Sequence, residues 1–273
     1  MSEGTPIHDL PDATDPDHGV VARLDGRTPA VFLDYDGTLT PIVERAEDAT
    51  IDDRVREVIR SLADRCTVAI VSGRDLADVR TMVGVDGLYY AGSHGFDIVA
   101  PDGTPTQHGT DFLPALDTAE GQLHAQLAGA DGVRIERKRF AIAVHYRQVD
   151  PAKVSDVKAA VVRVSDANPE LRVTGGKKIF ELRPALDWHK GKALQFLLRT
   201  LGLDERDDVV PIYVGDDVTD EDAFAALGDR GVGLVVRGED DARTTFADVS
   251  LQDPRAVVTF LAQLRDALGD AAP

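Results

Sequence analysis

Three apolar runs of this sequence are each followed by side chains that could act as nucleophiles, acids, bases or metal ligands. Asp34 and Asp36 follow the first run, Ser72 follows the second, and Asp216 and Asp217 follow the third. Ligands of open parallel α/β sheets bind at the carboxyl ends of the strands, so these side chains are expected to converge. Asp-x-Asp triplets arise by chance in a chain this acidic, and only their position after apolar runs makes this pair informative.

Converging carboxylates repel one another unless a cation lies among them. Oxygen ligands without His or Cys favour Mg²⁺, which takes one or two carboxylates, several waters and a substrate phosphate. A carboxylate can also attack phosphorus directly and form an aspartyl phosphate. Gly37 would allow close approach of the backbone to a phosphate, and Thr38 and Ser72 offer hydroxyl donors.

A lysine is needed to neutralise the nucleophile and the phosphoryl oxygens, and two candidates lie close together. Lys190 opens a predicted helix 26 residues before Asp216, and Lys192 follows two positions later. As a point charge, a lysine suits a phosphate.

The charge and composition exclude several classes of protein. With 30 Lys+Arg against 48 Asp+Glu, the formal net charge is −18, which argues against nucleic-acid and anionic-membrane partners. The single cysteine, Cys66, excludes a disulfide framework. No apolar run reaches the ~18–20 residues of a membrane span, and the first residues lack the pattern of a signal peptide. We therefore expect a cytoplasmic, monomeric protein with a small-molecule substrate.

The order of predicted elements indicates an α/β fold with an insertion. Strand, helix and strand alternate from Ala30 to Ala91 and again from Lys190 onward, as in a doubly wound parallel sheet. Between them, two strands, a helix and two strands predict an α+β module. The predicted boundaries are a flexible acidic arm at 1–28, a core at 29–106 and 185–273, and an inserted domain at 107–184.

Polar residues of the inserted module are candidates for contact with a polyhydroxylated ligand. Ala141–Arg147 is predicted as one strand, which would place His145 and Arg147 on the same face. Glu181, with Lys177 or Lys178, follows a hairpin turn predicted at Thr174-Gly175-Gly176. For His145 and Arg147, sugar contact and a solvated sheet face are about equally supported, and a Lys-Lys hairpin alone is usually just exposed charge.

The motifs resemble those of the haloacid dehalogenase (HAD) superfamily of phosphatases. Asp34-Tyr35-Asp36-Gly37-Thr38-Leu39-Thr40 is similar to the first motif of that superfamily, Ser72 to the second, Lys190 to the third and Gly215-Asp216-Asp217 to the fourth. Gly215–Asp222, Ala91–Gly95, His145–Arg147 and Glu181–Pro184 further resemble segments of the trehalose-6-phosphate phosphatases. The resemblance covers roughly residues 29–268 and implies a Rossmann-like HAD core with a mobile cap.

The resemblance also implies a role for each matching residue. Asp34 would attack phosphorus, and Asp36 would protonate the departing sugar hydroxyl and then deprotonate water. Asp34, the backbone carbonyl of Asp36, and Asp216 would hold Mg²⁺, with Asp217 and Asp220 orienting its waters. The predicted residues are, for catalysis, Asp34, Asp36 and Lys190; for phosphate, Gly37, Thr38, Ser72 and Gly73; for the metal, Asp34, Asp36, Asp216, Asp217 and Asp220; and for the substrate, Arg74, His94, Lys138, His145, Arg147, Lys178 and Glu181.

Three functions are compatible with these residues. The resemblance favours a Mg²⁺-dependent phosphatase acting on trehalose 6-phosphate, the last step of trehalose biosynthesis. A related hydrolase of another sugar phosphate, such as sucrose or glucosylglycerol phosphate, would keep the same core and differ in the inserted module. A non-catalytic, cation-binding receiver-like module would need only ~120 residues, no insertion and no Asp36 beside Asp34.

Overall fold

A computed structural model describes residues 4–15, 19–43, 45–176, 178–238 and 243–269 of the chain. The chain divides into two units, which we call the core unit (Met1–Thr106 with Trp188–Pro273) and the inserted unit (Gln107–Asp187). The strands, in chain order, are β1 (Thr5–Pro6), β2 (Thr28–Leu33), β3 (Thr67–Val71), β4 (Tyr89–Gly92), β5 (Asp97–Val99), β6 (Pro105–Gln107), β7 (Arg134–Lys138), β8 (Ala141–His145), β9 (Leu171–Gly176), β10 (Ile179–Pro184), β11 (Val209–Gly215), β12 (Val232–Val236), β13 (Thr244–Thr245) and β14 (Val249–Leu251). The α-helices are α1 (Val20–Arg23), α2 (Asp53–Ala63), α3 (Leu76–Val83), α4 (Leu113–Gln126), α5 (Val154–Ala167), α6 (Lys190–Thr200), α7 (Glu221–Leu227) and α8 (Pro254–Ala267).

The core unit is built on an eight-stranded sheet with the order β14-β12-β11-β2-β3-β4-β5-β6. Pairing is parallel from β14 to β4, and β5 joins β4 in antiparallel register. After β2 the chain moves to β3 on one side and later returns to β11 on the other. The carboxyl ends of β2 and β11 therefore flank the topological switch point, where α/β sheets bind ligands. The predicted α/β class is confirmed.

Both faces of this sheet are covered, which explains why its strands read as continuous apolar runs. Along β2, Val31 and Leu33 belong to one buried cluster, with α2 and α8. Ala30 and Phe32 belong to a second cluster on the opposite face, with α6 and α7. Helix α2 begins where the Asp52 side chain accepts a hydrogen bond from Val55 N at 2.9 Å, as an N-cap should.

The segment predicted as a flexible arm differs from that expectation in the residues that the structure describes. β1 pairs antiparallel with β13, and Ile7 and Leu10 lie in the same buried cluster as α6 and α7. Val20 of α1 lies in the other cluster. The prediction failed because the segment is acidic and rich in Pro, and its apolar residues are too widely spaced to show a periodic pattern. The structure buries these apolar side chains in the core.

The inserted unit is a four-stranded sheet, of order β7-β8-β10-β9, with two helices on one face. Ile142, Val144 and Leu182 pack with α4 and α5 in a separate buried cluster. Two local predictions were wrong. β8 ends at His145, so Arg147 lies in a turn, and β9 runs through Thr174, Gly175 and Gly176 before β10 begins at Ile179. Lys177 lies outside the described residues.

Candidate active site

Asp34 and Lys190 form a buried ion pair at the carboxyl end of β2. Asp34 follows β2 and is 4% exposed; Lys190 opens α6 and is 3% exposed. The Lys190 Nζ atom lies 2.7 Å from Asp34 Oδ1 and 2.6 Å from Asp220 Oδ1. Lys190 rather than Lys192 therefore supplies the buried positive charge.

Burial and neighbouring charges compete at this pair. Burial raises the pKa of Asp34 to about 7, although Lys190 opposes the shift. Burial lowers the pKa of Lys190, but Asp220 and Asp34 outweigh it, so that the pKa lies above its usual value. The lysine accordingly remains charged, and Asp34 depends on it for its own negative charge.

Asp216 extends the carboxylate cluster from the end of β11. Oxygen atoms of Asp34, Asp216 and Asp220 lie within 4.8 Å of one another. Burial, followed by the charges of Asp34 and Asp220, raises the pKa of Asp216 to about 9. Asp216 Oδ1 is buried and has no hydrogen-bond partner among the described residues. Such an orphaned carboxylate oxygen beside two other acids fits a hard cation such as Mg²⁺.

Asp220 is used differently from the other two acids. Oδ1 accepts from Lys190 Nζ and from the Tyr213 hydroxyl at 2.7 Å, and Oδ2 accepts from the backbone N–H groups of Asp216 and Asp217 at 3.2 and 3.0 Å. A carboxylate offers about four lone-pair directions. The four donors use them all, so Asp220 orders its neighbours, whereas the orphaned oxygen of Asp216 stays open to a cation.

Gly37 makes the approach of Asp216 to the first motif possible. Its φ is +80°, and a Cβ atom at this position would lie 2.0 Å from Asp216 Oδ2. Any side chain here would be strained by the backbone and would displace the carboxylate.

Asp36 and Arg74 form a second, less buried pair beside the cluster. Arg74 donates from Nε to Asp36 Oδ2 at 2.7 Å and from Nη2 to Asp36 Oδ1 at 2.5 Å. The guanidinium also lies 5.4 Å from the centre of the Tyr35 ring. This bidentate geometry fixes the Asp36 carboxylate, whereas Arg74 was predicted to contact substrate.

The predicted phosphate-binding residues line the same strand ends. Thr38 is buried, and its hydroxyl has no partner among the described residues. Ser72 Oγ accepts from Arg74 N at 3.1 Å, which leaves its own O–H available as a donor. The absent Cβ of Gly73 leaves room for the His94 ring, which would lie 2.8 Å away. His94 has a left-handed backbone, with φ of 57°, in a turn at Ser93–Gly95.

Asp217 does not join the buried carboxylates. Its side chain is exposed and accepts from Val218 N at 2.7 Å, capping the short helical turn that begins there. A role through water is the only one its placement supports.

The predicted sugar-contact residues lie in the inserted unit, where three of them share one sheet face. Ile142, Val144 and Leu182 face the helices, so His145 and Glu181, which alternate with them, lie on the other face. Lys138 Nζ donates to Glu181 Oε1 at 3.0 Å, and His145 Nε2 lies 2.7 Å from Glu136 Oε2.

The other two residues lie in adjoining turns of that unit. Arg147 and Lys178 are exposed, and Lys178 has a φ of 65°. Tyr146 N donates to the Lys178 carbonyl at 3.1 Å, which joins the two turns.

Tyr213 was missed by the sequence analysis. It lies in the middle of β11, two residues before Gly215, and reads there as one more apolar residue of a buried strand. Its hydroxyl could have marked it as a candidate, because the O–H group of a buried tyrosine needs a hydrogen-bond partner.

The family model described as trehalose-phosphatase matches residues 32–255 of this chain. The chain belongs to the trehalose-phosphatase family. The resemblance inferred from the motifs is confirmed.

Relatives of this family member include two mycobacterial proteins. A protein of Mycobacterium bovis named trehalose-phosphate phosphatase is 46% identical over 265 residues, which are 96% of this chain and 67% of that protein. An uncharacterized glycosyl hydrolase of Mycobacterium tuberculosis is 49% identical over 270 residues, which are 97% of this chain and 20% of that protein. The chain thus spans about a fifth of the length of that relative.

Solved structures of low identity support the fold. The C-terminal domain of C. albicans trehalose-6-phosphate phosphatase matches with a TM-score of 0.76 at 23% identity, over 97% of this chain and 99% of that one. A haloacid dehalogenase-like hydrolase from Bacteroides thetaiotaomicron matches with a TM-score of 0.62 at 16% identity, over 87% and 99%. The fold of this chain is therefore similar to the folds of these two proteins.

Proposed function

We propose that this chain is a Mg²⁺-dependent phosphatase that hydrolyses trehalose 6-phosphate to trehalose and phosphate. The observation that carries the proposal is the buried Asp34–Lys190 pair at the end of β2, directly beside the open carboxylate of Asp216. A candidate nucleophile, its counter-charge and a candidate cation ligand thus lie together at the end of β2. The sugar identity rests on the family.

In the proposed reaction, Asp34 is the nucleophile. A carboxylate oxygen of Asp34 forms a bond to phosphorus while the bond from phosphorus to the sugar oxygen breaks. The leaving oxygen takes a proton from the Asp36 carboxyl group. Asp36, now ionised, removes a proton from water, whose oxygen attacks phosphorus and releases phosphate and the Asp34 carboxylate.

The carboxylates of Asp34 and Asp216, with the backbone carbonyl of Asp36, would hold the metal. When bound, Mg²⁺ supplies positive charge that offsets the repulsion among the acids and draws in a phosphoryl oxygen. Asp220 keeps the backbone of Asp216 and Asp217 in place through its two N–H acceptor contacts. Lys190, Thr38 and Ser72 donate to the remaining phosphoryl oxygens.

The inserted unit would supply the sugar contacts. Lys138, His145 and Glu181 share one polar sheet face, and Arg147 and Lys178 stand exposed at adjoining turns of the same unit. Charged and hydrogen-bonding side chains gathered in one unit suit a ligand with many hydroxyl groups. A cytoplasmic location and a monomeric state remain predictions from the sequence, and none of the described helices is long and apolar enough to cross a bilayer.

The test is phosphate release from trehalose 6-phosphate, glucose 6-phosphate and sucrose 6-phosphate, with and without Mg²⁺. We expect trehalose 6-phosphate to be preferred by at least about tenfold, and activity to be lost on chelation. Asp34→Asn, which keeps the shape of the nucleophile, should lower kcat by about 10³-fold or more. Equal rates on the three sugars would refute the substrate, and full turnover by the Asn variant would refute the covalent route.

A further inference from the structure

Tyr213 is a buried residue of the active site that none of the proposed chemical steps uses. It is 0% exposed, and its ring packs edge-on against Phe224 with centroids 5.8 Å apart. Its hydroxyl donates to Asp220 Oδ1 at 2.7 Å. Burial raises the pKa of this hydroxyl well above its usual value, so the group stays protonated and remains a donor.

The hydroxyl shares its acceptor atom with the catalytic lysine. Asp220 Oδ1 accepts from both Tyr213 and Lys190, while Asp34 Oδ1 accepts from the same ammonium group at nearly the same distance, 2.7 Å against 2.6 Å. The position of Lys190 is therefore a balance between two carboxylates. In a site from which water is excluded, an unmatched lone pair strengthens the pull of its carboxylate on a nearby cation.

We propose that Tyr213 is a positioning residue for Lys190, acting through Asp220. By occupying one lone pair of Asp220 Oδ1, the hydroxyl keeps the ammonium group shared with Asp34, where it meets the phosphoryl oxygens. The inference rests on the proposed phosphatase function and adds to it a residue that touches neither substrate nor metal. Phenylalanine would fill the same space without the donor, and Lys190 would then shift towards Asp220.

The test is Tyr213→Phe, with Tyr90→Phe as the matched control. Tyr90 is also buried in the core unit and donates to a backbone carbonyl, that of Val85, at 2.6 Å. Both variants lose one buried hydrogen bond and should melt at similarly lower temperatures. Only Tyr213→Phe should lower kcat, by about three- to tenfold, with KM and the Mg²⁺ Kd from calorimetry changed less than twofold. An unchanged kcat in Tyr213→Phe would overturn the proposal.

A double-mutant cycle tests whether Tyr213 acts through Asp220. Asp220→Asn should lower kcat more strongly, and adding Tyr213→Phe to it should cause less than a further twofold loss. Independent, multiplying effects would overturn the route through Asp220. If Asp220→Asn turns over too slowly to measure, the same double-mutant cycle uses the Kd for beryllofluoride in place of kcat.

Beryllofluoride with Mg²⁺ also separates this proposal from the substrate assignment. It mimics a phosphoryl group on an aspartate, so its Kd reports how Lys190 holds the phosphoryl group without any sugar. Tyr213→Phe should weaken its binding about three- to tenfold, and Tyr90→Phe should not. For hydrolysis of p-nitrophenyl phosphate we likewise expect Tyr213→Phe to lower kcat about three- to tenfold and Tyr90→Phe to leave it unchanged. Failure with trehalose 6-phosphate alone would refute the proposed substrate, whereas equal beryllofluoride binding by the two variants would refute the role of Tyr213.

Discussion

Lys190 carries its charge where water does not reach, and this governs the chemistry of individual residues in the site. An isolated buried charge costs several kcal/mol, and removing one member of a buried ion pair strongly destabilises a fold. Here one ammonium group faces Asp34 and Asp220, with Asp216 close by. When all three acids are ionised, one base leaves a net negative charge, which a divalent cation would offset.

At the residue scale, Asp216→Asn should stabilise the metal-free protein at alkaline pH. The pKa of Asp216 is raised to about 9, so this carboxyl favours the fold while protonated, and its contribution is lost as pH rises from about 4 through 9. At pH 9 the variant should melt roughly 3 to 6 °C above the wild type, and the gap should close towards pH 5. Differential scanning calorimetry in EDTA measures both.

The same substitution should remove the response to Mg²⁺. Saturating Mg²⁺ should raise the melting temperature of the wild type and leave Asp216→Asn almost unchanged, with activity lost. Asp229→Asn is the control, because that side chain is exposed and is not one of the three clustered acids. A variant that melts below the wild type at every pH would contradict the account of repulsion among these acids.

At the scale of elements, the site exists because two strands end side by side. β2 and β11 are neighbours in the sheet although about 180 residues separate them, counting from Asp34 to Asp216. Their carboxyl ends bring one aspartate from each to the same edge of the sheet, where Lys190 opens α6 and Asp220 precedes α7. The N-terminal segment also supports the site. Its strand β1 pairs with β13, and β13 begins directly after Arg243. The Arg243 guanidinium donates to the Asp216 carbonyl.

Ile7→Ala should show that the N-terminal segment is part of the core. Ile7 is 0% exposed in the cluster with α6 and α7, so its truncation should lower the free energy of unfolding by about 2–5 kcal/mol. The measurement is urea denaturation followed by circular dichroism. Ile42→Ala is the matched control, since Ile42 is 64% exposed and should cost about 0.5 kcal/mol or less. If both variants lowered the free energy of unfolding equally and only slightly, the N-terminal segment would behave as the flexible arm that the sequence predicted.

At the scale of the whole molecule, the net charge opposes binding of the proposed substrate. A net charge of −18 repels an anionic sugar phosphate, so attraction must come from local groups. In the proposed reaction, Lys190 and the metal would provide it in the core unit, and Lys138, Arg147 and Lys178 would add positive charge in the inserted unit. Dividing the work between the units would separate phosphate chemistry from sugar recognition.

Arg147→Ala tests that division of work. If the inserted unit binds the sugar, the variant should raise KM for trehalose 6-phosphate about tenfold and leave the hydrolysis of p-nitrophenyl phosphate unchanged. Arg163→Ala is the control, because Arg163 is an exposed arginine of the same unit on α5. Equal losses on both substrates would mean that Arg147 serves stability or catalysis rather than recognition of the sugar.

The local pattern was enough to predict most of the elements and the motifs of the site. Buried parallel strands are apolar along their whole length, and a polar cluster that follows such a strand marks the edge where ligands bind. The alternating strands and helices from β2 to β4 followed from this pattern. The short strands β5 and β6, the turn after Gly176 and the end of β8 did not, because strands of three residues and turn positions leave little periodic signal.

By itself, then, the sequence determined the α/β class, the convergence of Asp34, Lys190 and Asp216, and the family. Only the tertiary structure decided which donor atom pairs with which acceptor atom among those groups. It joined Arg74 to Asp36, surrounded Asp220 with four donors and placed the Tyr213 hydroxyl beside Lys190. The physical reason is that a motif specifies which groups reach a crevice, whereas the lone pair that each donor occupies depends on contacts between residues far apart in the chain.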